Sequence, residues 1–396
     1  MSLIEVSGLF KIFGPHSALD RALEMARDGE ERSKIKDETG CVLAVNDVSF
    51  EVEETEIFVI MGLSGSGKST LLRCINRLIE PTAGEVSVDG DDILDMESKD
   101  LRDWRKKKTA MVFQHFGLLD HRSVLGNVAF GLELQGVQKE EREQKAREIL
   151  ELVGLENEAD SGIDELSGGQ QQRVGLARAL ATEAGILLMD EAFSALDPLI
   201  RTHMQSEFLE LQEDMPRTIL FITHDLGEAL SMGDRIAIMK DGAVVQIGTP
   251  EQIILSPQDD YVASFVENVD RSRVLTVGTT AAEKQPKIAP GDSVQKALDV
   301  MDDMDLPYAF VIDDGELSGA VRLRDAEQEA KRENPSLKNI IMPPGDRVRP
   351  EENLISILAK ASGNLSPLPV IDENGELVGA ITKDHLLRAV AGEEEE

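Results

Sequence analysis

The run Gly62-Leu-Ser-Gly-Ser-Gly-Lys-Ser69 matches the phosphate-loop pattern at every fixed position. Its glycines, Gly62, Gly65 and Gly67, allow backbone angles that side chains forbid. Successive N–H groups, those of Ser64 and Ser66 among them, can then turn inward on phosphate oxygens. Lys68 is expected to reach the β- and γ-phosphates, Ser69 to ligate Mg²⁺ through its hydroxyl, and Thr70 to bond the α-phosphate. Asp190 ends an apolar run and can hold the metal, while Glu191 beside it is placed to polarise an attacking water. Gln114 and His224 follow the strand-like runs 109–113 and 218–223, where a polar side chain suits sensing of a γ-phosphate; Gln114 is also a candidate metal ligand. The chemistry these residues imply is hydrolysis of a nucleoside triphosphate, which needs an oriented water and a neutralised γ-phosphate and little covalent help.

Such residues need a frame, and the apolar runs supply one. Ile57 to Met61 leads directly into the glycine-rich loop, Ile186 to Met189 precedes Asp190, and Thr218 to Ile222 precedes His224. Uninterrupted apolar strands alternating with helices predict an α/β fold whose mainly parallel sheet is covered on both faces. Leu3 to Phe10 and Val45 to Val52 also read as strands. Between them, within about 15–44, Ala18, Leu19, Ala22, Leu23, Met25 and Ala26 recur at the spacing of an inserted amphipathic helix. The texture changes past about residue 265. A polar, small-residue linker is expected over 266–283, and then a repeat in which Val311 to Ala320 echoes Val370 to Ala380. Each copy reads as a hairpin followed by a helix, and together they predict a pair of small domains over 284–342 and 343–392.

With 75 acidic and 41 basic residues the formal charge is −34, a surface that repels nucleic acid and anionic lipid. Because the acidity is spread along the chain, it points to a host with a salty cytoplasm rather than to a dedicated acidic face. The run Glu393 to Glu396 reads as a solvated tail. No apolar run approaches the roughly 20 residues of a membrane span, and the N-terminus lacks the layout of a signal peptide, so a cytoplasmic protein is expected. Cys41 and Cys74 have no zinc-ligand spacing and read as packing residues.

Two further motifs lie in this order along the chain: Leu166-Ser-Gly-Gly-Gln170 and Ser194-Ala-Leu-Asp197. With them, residues 1 to about 265 resemble an ATP-binding-cassette (ABC) ATPase. The resemblance implies ATP and Mg²⁺ as ligands, a helical subdomain over about 115–180, and a head-to-tail homodimer. In that dimer Ser167, Gly169 and Gln170, with Gly168 between them, would meet the γ-phosphate bound by Lys68 of the other copy, and Ser194 to Asp197 would contact that copy. Most cassettes stack an aromatic side chain on adenine. Phe13 is the matching candidate and Phe10 the fallback, and either also reads as core.

The longer wording Lys11-Ile-Phe-Gly14, Glu56 to Leu63, Asn76 to Pro81 and Met111 to Gln114 resembles the ATPase subunit of glycine betaine/proline betaine importers. The C-terminal repeat resembles a tandem pair of cystathionine-β-synthase (CBS) domains. This implies docking on two membrane permease subunits through the surface after Gln114, which includes His115, Phe116, Leu118 and Leu119. It also implies an indirect link to a substrate-binding protein, a peripheral place on the inner face of the membrane, and osmotic control through the CBS pair. The CBS nucleotide motif is kept as Gly379, Thr382 and Asp384 in the second copy. In the first, Arg322 replaces the hydroxyl between Gly319 and Asp325. An adenine nucleotide, a salt-sensing role and a structural role all stay open for the pair. Competing readings are an importer for choline, carnitine or proline, and a soluble non-transport ABC ATPase. The single cassette, the absence of heptads and the acidity oppose the last.

Overall fold

The computed structural model describes residues 2–113, 117–182, 184–267, 269–282, 284–363 and 367–392. The expectations for Gln114, His115, Phe116 and the acidic tail therefore lie outside the described residues. The chain forms two compact units, Met1–Glu267 and Asn268–Glu396. Among the described residues no helix is long and apolar enough to cross a membrane.

In the first unit, the sequence Ile-Phe-Val-Ile-Met folds as the strand Ile57–Met61, buried at every position. Strands buried on both faces belong at the centre of a sheet, and β-branched and aromatic side chains suit that place. The six-stranded sheet runs, edge to edge, Ala243–Gly248, Arg235–Lys240, Ile57–Met61, Thr218–Thr223, Ile186–Asp190 and Thr109–Val112. All pair in parallel except the first, which is antiparallel to its neighbour. Register sets Met61 beside Thr223 and Asp190 beside Ile222, so the segments beginning at Gly62, Glu191 and His224 leave neighbouring carboxyl ends of the sheet. Ligands of open α/β sheets bind there. An antiparallel sheet built on Ser2–Phe13, Val42–Glu53 and Ala83–Val88 packs alongside. Phe50 from this sheet stacks on Phe58 of the parallel one, ring centroids 4.9 Å apart. The helices Val124–Val128, Phe130–Gln135, Lys139–Leu152 and Gly168–Leu180 form the helical subdomain.

The insertion holds two helices, Leu19–Arg27 and Arg32–Thr39, where one was expected. The break falls at Asp28-Gly29, a pair that favours a turn. Ala22, Ala26 and Ile35 pack with Phe10, Ile12, Cys41 and Leu43. Cys41 and Cys74 are buried and unpaired, and burial pushes the Cys74 thiol up to about 12.

The second unit carries the repeat as two hairpins, Tyr308–Asp313 with Glu316–Arg322 and Leu368–Ile371 with Leu377–Ile381, each followed by a helix. Much of the stretch expected as a linker is folded into this unit. Leu275 and Val277 are buried, the Val277 N–H donates to the Glu352 carbonyl at 2.9 Å, and the Ala282 N–H donates to the Ala380 carbonyl at 3.0 Å. Two apolar side chains in an otherwise polar run supply the burial, and carbonyls of the second copy accept from the N–H groups of Val277, Gly278 and Ala282.

Candidate nucleotide site

The phosphate loop is held from behind by backbone. Gly62 and Gly67 sit at φ 147° and 103°, and a Cβ on either would lie 2.2 Å from a carbonyl oxygen, that of Met239 or of Ala44. Only glycine fits such an approach. The Gly242 N–H donates to the Ser66 carbonyl at 3.0 Å, and the Asn46 N–H to Gly242 at 2.9 Å, which ties the loop to both sheets. The buried Ser66 hydroxyl finds no hydrogen-bond partner among the described residues. Ser64 is exposed and Thr70 half-buried.

Lys68 opens the helix Lys68–Ile75, and its ammonium folds back to donate to the carbonyls of Gly62 (2.7 Å) and Leu63 (3.1 Å). Burial holds that ammonium below the usual lysine range, while the nearby Glu191 and Asp190 carboxylates oppose the shift. A cation desolvated at the mouth of an N–H-lined cradle suits a polyanion. Ser69 donates its hydroxyl to Asp190 Oδ1 at 2.7 Å, and Arg73, one helical turn further, donates to Oδ2 at 3.2 Å. Asp190 is fully buried. Its neighbour Glu191 takes φ 53°, a left-handed backbone that turns the chain at the strand end, and Glu191 Oε2 stands 3.3 Å from His224 Nδ1. The structure thus gathers Lys68, Ser69, Asp190, Glu191 and His224 around one loop.

It does not bring the Leu166 to Gln170 motif to that loop within one chain. Ser167 caps the helix Gly168–Leu180: its hydroxyl accepts from the Gln170 N–H at 3.3 Å, and Gln170 Oε1 accepts from the Ser167 N–H at 2.9 Å. This reciprocal box rigidifies an exposed helix start. Gly169 faces the Ala195 carbonyl, and Asp197 precedes Pro198 at the start of the helix Pro198–Asp214. Phe13 is 42% exposed and pairs in register with the exposed Val42, two residues from the Ala44 that backs Gly67. Phe10 is 5% exposed and belongs to the core beneath the insertion, so it offers no stacking face.

In the second unit the Thr382 hydroxyl accepts from the His385 N–H at 3.1 Å, capping the helix Lys383–Ala391, and Asp384 pairs with Arg388 at 2.9 Å. In the other copy Arg322 donates to Met342 Sδ at 2.8 Å. The sequence reading missed Arg73, although it lies four residues from Ser69 on one helix face. It also missed Gln172, Arg201 and Glu228, which support the turns after Asp190 and Thr223. Arg201 donates to the Leu196 carbonyl at 3.2 Å and to Asp225 at 3.3 Å. Glu228 accepts from the Thr223 hydroxyl at 2.6 Å, and burial raises its carboxyl.

Comparisons with known proteins agree with this frame. The ABC transporter family model matches residues 45–194, and the CBS domain model matches 280–329 and 339–392. The glycine betaine transport ATP-binding protein OpuAA of Bacillus subtilis (strain 168) is 47% identical over 400 residues, covering 99% of this chain and 93% of that protein. The glycine betaine/proline betaine transport system ATP-binding protein ProV of Escherichia coli (strain K12) is 48% identical over 391 residues, covering 98% and 97%. Among solved structures, a dimeric ATP-binding cassette in a post-hydrolysis state bound to ADP and Pi superposes with a TM-score of 0.54 at 33% identity, covering 62% of this chain and 98% of that one. The chain belongs to the ABC-transporter ATP-binding subunits with tandem CBS domains, the family of the glycine betaine and proline betaine transport subunits.

Proposed function

We propose that this chain hydrolyses ATP to ADP and phosphate and that the cycle drives import of a glycine betaine- or proline betaine-type solute through permease subunits. The observation that carries the reading is the convergence of Lys68, Ser69, Asp190, Glu191 and His224 on a loop whose backbone admits no side chain at Gly62 or Gly67. Backbone N–H groups of the loop and the Lys68 ammonium receive the phosphates, except that the Ser66 N–H donates to the Leu63 carbonyl at 3.1 Å within the loop, and Thr70 lies at the α-phosphate. Ser69, Asp190 and Gln114 would hold Mg²⁺, which when bound neutralises charge on the phosphate oxygens. Among the described residues no three His, Cys, Asp or Glu side chains cluster as a metal cage.

Glu191 orients the attacking water and takes its proton. His224, through its 3.3 Å contact, pins that carboxylate. Two copies arranged head to tail complete each site, with Ser167, Gly169 and Gln170 of one facing the nucleotide held by the other. Phe13 stacks on adenine. The permease docks in a groove of about 380 Å³ lined by Met111, Phe113, Leu119, Phe130 and Leu134. The assembled complex would then sit on the cytoplasmic face of the membrane. The CBS pair regulates transport, by ionic strength or by an adenine nucleotide at Thr382 and Asp384. The even acidity fits a host with a salty cytoplasm.

Glu191→Gln tests the reading. The variant keeps the volume and the left-handed turn and loses the base, so turnover should fall by about 10²–10⁴, the usual share of a general base. ATP should remain bound, trapped in a dimer. Wild-type turnover in this variant would remove Glu191 from the chemistry.

A further inference from the structure

Gln172 has no part in the site as proposed, yet it is 1% exposed and both its carboxamide nitrogen and its oxygen are hydrogen-bonded. It projects from the helix Gly168–Leu180, on whose first turn Ser167 and Gln170 lock together. Its Nε2 donates to the Glu191 carbonyl at 3.0 Å, and its Oε1 accepts from the Ala195 N–H at 2.8 Å. One side chain therefore closes both ends of the turn 191–195, which begins with Glu191 and ends inside the Ser194 to Asp197 motif. Glu191 holds φ 53°, a backbone uncommon for a residue with a Cβ and held in place by its surroundings. The impositions are visible. The Glu191 N–H donates to the Ile222 carbonyl at 3.0 Å, and its own carbonyl also accepts from the Ser194 hydroxyl at 2.9 Å and the Ser194 N–H at 3.2 Å. Of these partners only Gln172 comes from outside the strand ends and the turn itself, and it comes from the helix that carries the Leu166 to Gln170 motif.

We propose that Gln172 is the positioning residue that holds the Glu191 backbone in its left-handed turn and binds it to the helix Gly168–Leu180, so that hydrolytic competence at one site follows the placement of that helix. The inference rests on reading Glu191 as the base. A carboxylate must meet its water within a few tenths of an ångström, and small misplacements of aligned groups cost large factors in rate. ATP affinity is a separate matter, because Gln172 bonds to Glu191 and Ala195 and not to the phosphate loop. A helix drawn toward the partner copy's nucleotide would carry Gln172, and through it both ends of the turn, along with it.

The test compares variants of the full-length chain by MgATP titration and steady-state hydrolysis. Gln172→Met keeps the length of the side chain and removes both polar atoms. Its MgATP Kd should stay within about threefold of wild type while kcat falls about 10- to 100-fold, the split expected when an aligned group is lost without loss of ground-state binding. Gln172→Glu retains an acceptor for the Ala195 N–H and loses the donor to Glu191, so its kcat should fall as far. Should the methionine variant lose its melting transition, the glutamate variant carries the test. Wild-type kcat in either folded variant overturns the proposal, as does an equal loss of Kd and kcat. Glu191→Gln separates the two layers. If it retains turnover, the reading of the base fails and the proposal with it; if it is inactive while Gln172→Met turns over normally, only the role of Gln172 is overturned.

Discussion

Replacing Gly67 by alanine puts the fit of the phosphate loop to a quantitative test. The new methyl would lie 2.2 Å from the Ala44 carbonyl oxygen. That oxygen cannot withdraw cheaply, because Ala44 lies in the strand Val42–Glu53, whose neighbours Leu43 and Val45 pair with Ile12 and Lys11. A left-handed backbone costs an L-residue about 1–2 kcal/mol, and overpacking adds about 1–3 kcal/mol. Gly65→Ala is the control: φ is also positive, at 83°, but nothing lies within 4 Å of the added carbon. The excess cost of Gly67→Ala over Gly65→Ala is thus the overpacking part, about 1–3 kcal/mol. At about 2–4 °C per kcal/mol for a domain of this size, Gly67→Ala should melt about 2–12 °C below Gly65→Ala. If the loop instead relieves the clash by moving, the Lys68 N–H leaves its place and MgATP affinity falls. Thermal melts and MgATP titration of the two variants measure both responses. A Gly67→Ala protein that melts with Gly65→Ala and binds MgATP like wild type would refute the claim that Ala44 sets the shape of the loop.

The remaining predictions concern pH and control. Burial raises the Glu228 carboxyl above the ordinary glutamate range, so the native state favours its protonated form; this stabilisation is complete below about 4.3 and is lost as pH rises through the raised native value. Glu228→Gln, which stays neutral, should therefore gain on wild type in Tm between pH 5 and pH 8, and a difference independent of pH would contradict the burial argument. Truncation after Glu267 removes the whole second unit and none of the loop contacts, so ATP hydrolysis should persist while the ionic-strength response of transport flattens. An unchanged salt response in the truncated transporter would reduce residues 268–396 to an assembly module.

Local chemistry made the frame legible. Five buried residues in a row at Ile57–Met61 cannot face water on either side, and a glycine-rich loop directly after them leaves little choice but a strand end and a helix start. The same reasoning placed Asp190 at a strand end, and the structure joins it to Ser69 at 2.7 Å. The insertion was read as one helix because Leu19, Ala22, Leu23 and Ala26 share a face. The second helix, Arg32–Thr39, buries a single side chain, Ile35, so no apolar stripe announces it. The folded 271–282 segment was missed for a related reason. Its burial depends on Leu275 and Val277 meeting a partner more than 70 residues away, and composition weighs only the polar majority.

What stayed hidden was the polar scaffolding. Gln172 and Arg201 act on backbone groups, Glu228 on the Thr223 hydroxyl and on Arg201, and a Gln inside a Gln-Gln-Gln run carries no mark that one of the three is buried. Their chemistry is nevertheless dictated by the turns they serve. The segments after Asp190 and Thr223 leave the sheet where strand pairing stops, so their N–H and C=O groups need partners that no ladder supplies. The carbonyls of Glu191 and Leu196 and the Ala195 N–H find them in two long side chains from two helices. Long side chains are the ones that can reach such groups from a helix packed on the sheet, and burial of their polar ends is offset by hydrogen bonds to the backbone and, for Arg201, by the Asp225 carboxylate at 3.3 Å. A shift of either helix must therefore move the turn bearing Glu191 or leave buried polar groups unpaired. The site can thus be rigid around bound nucleotide and still respond to the helices behind it.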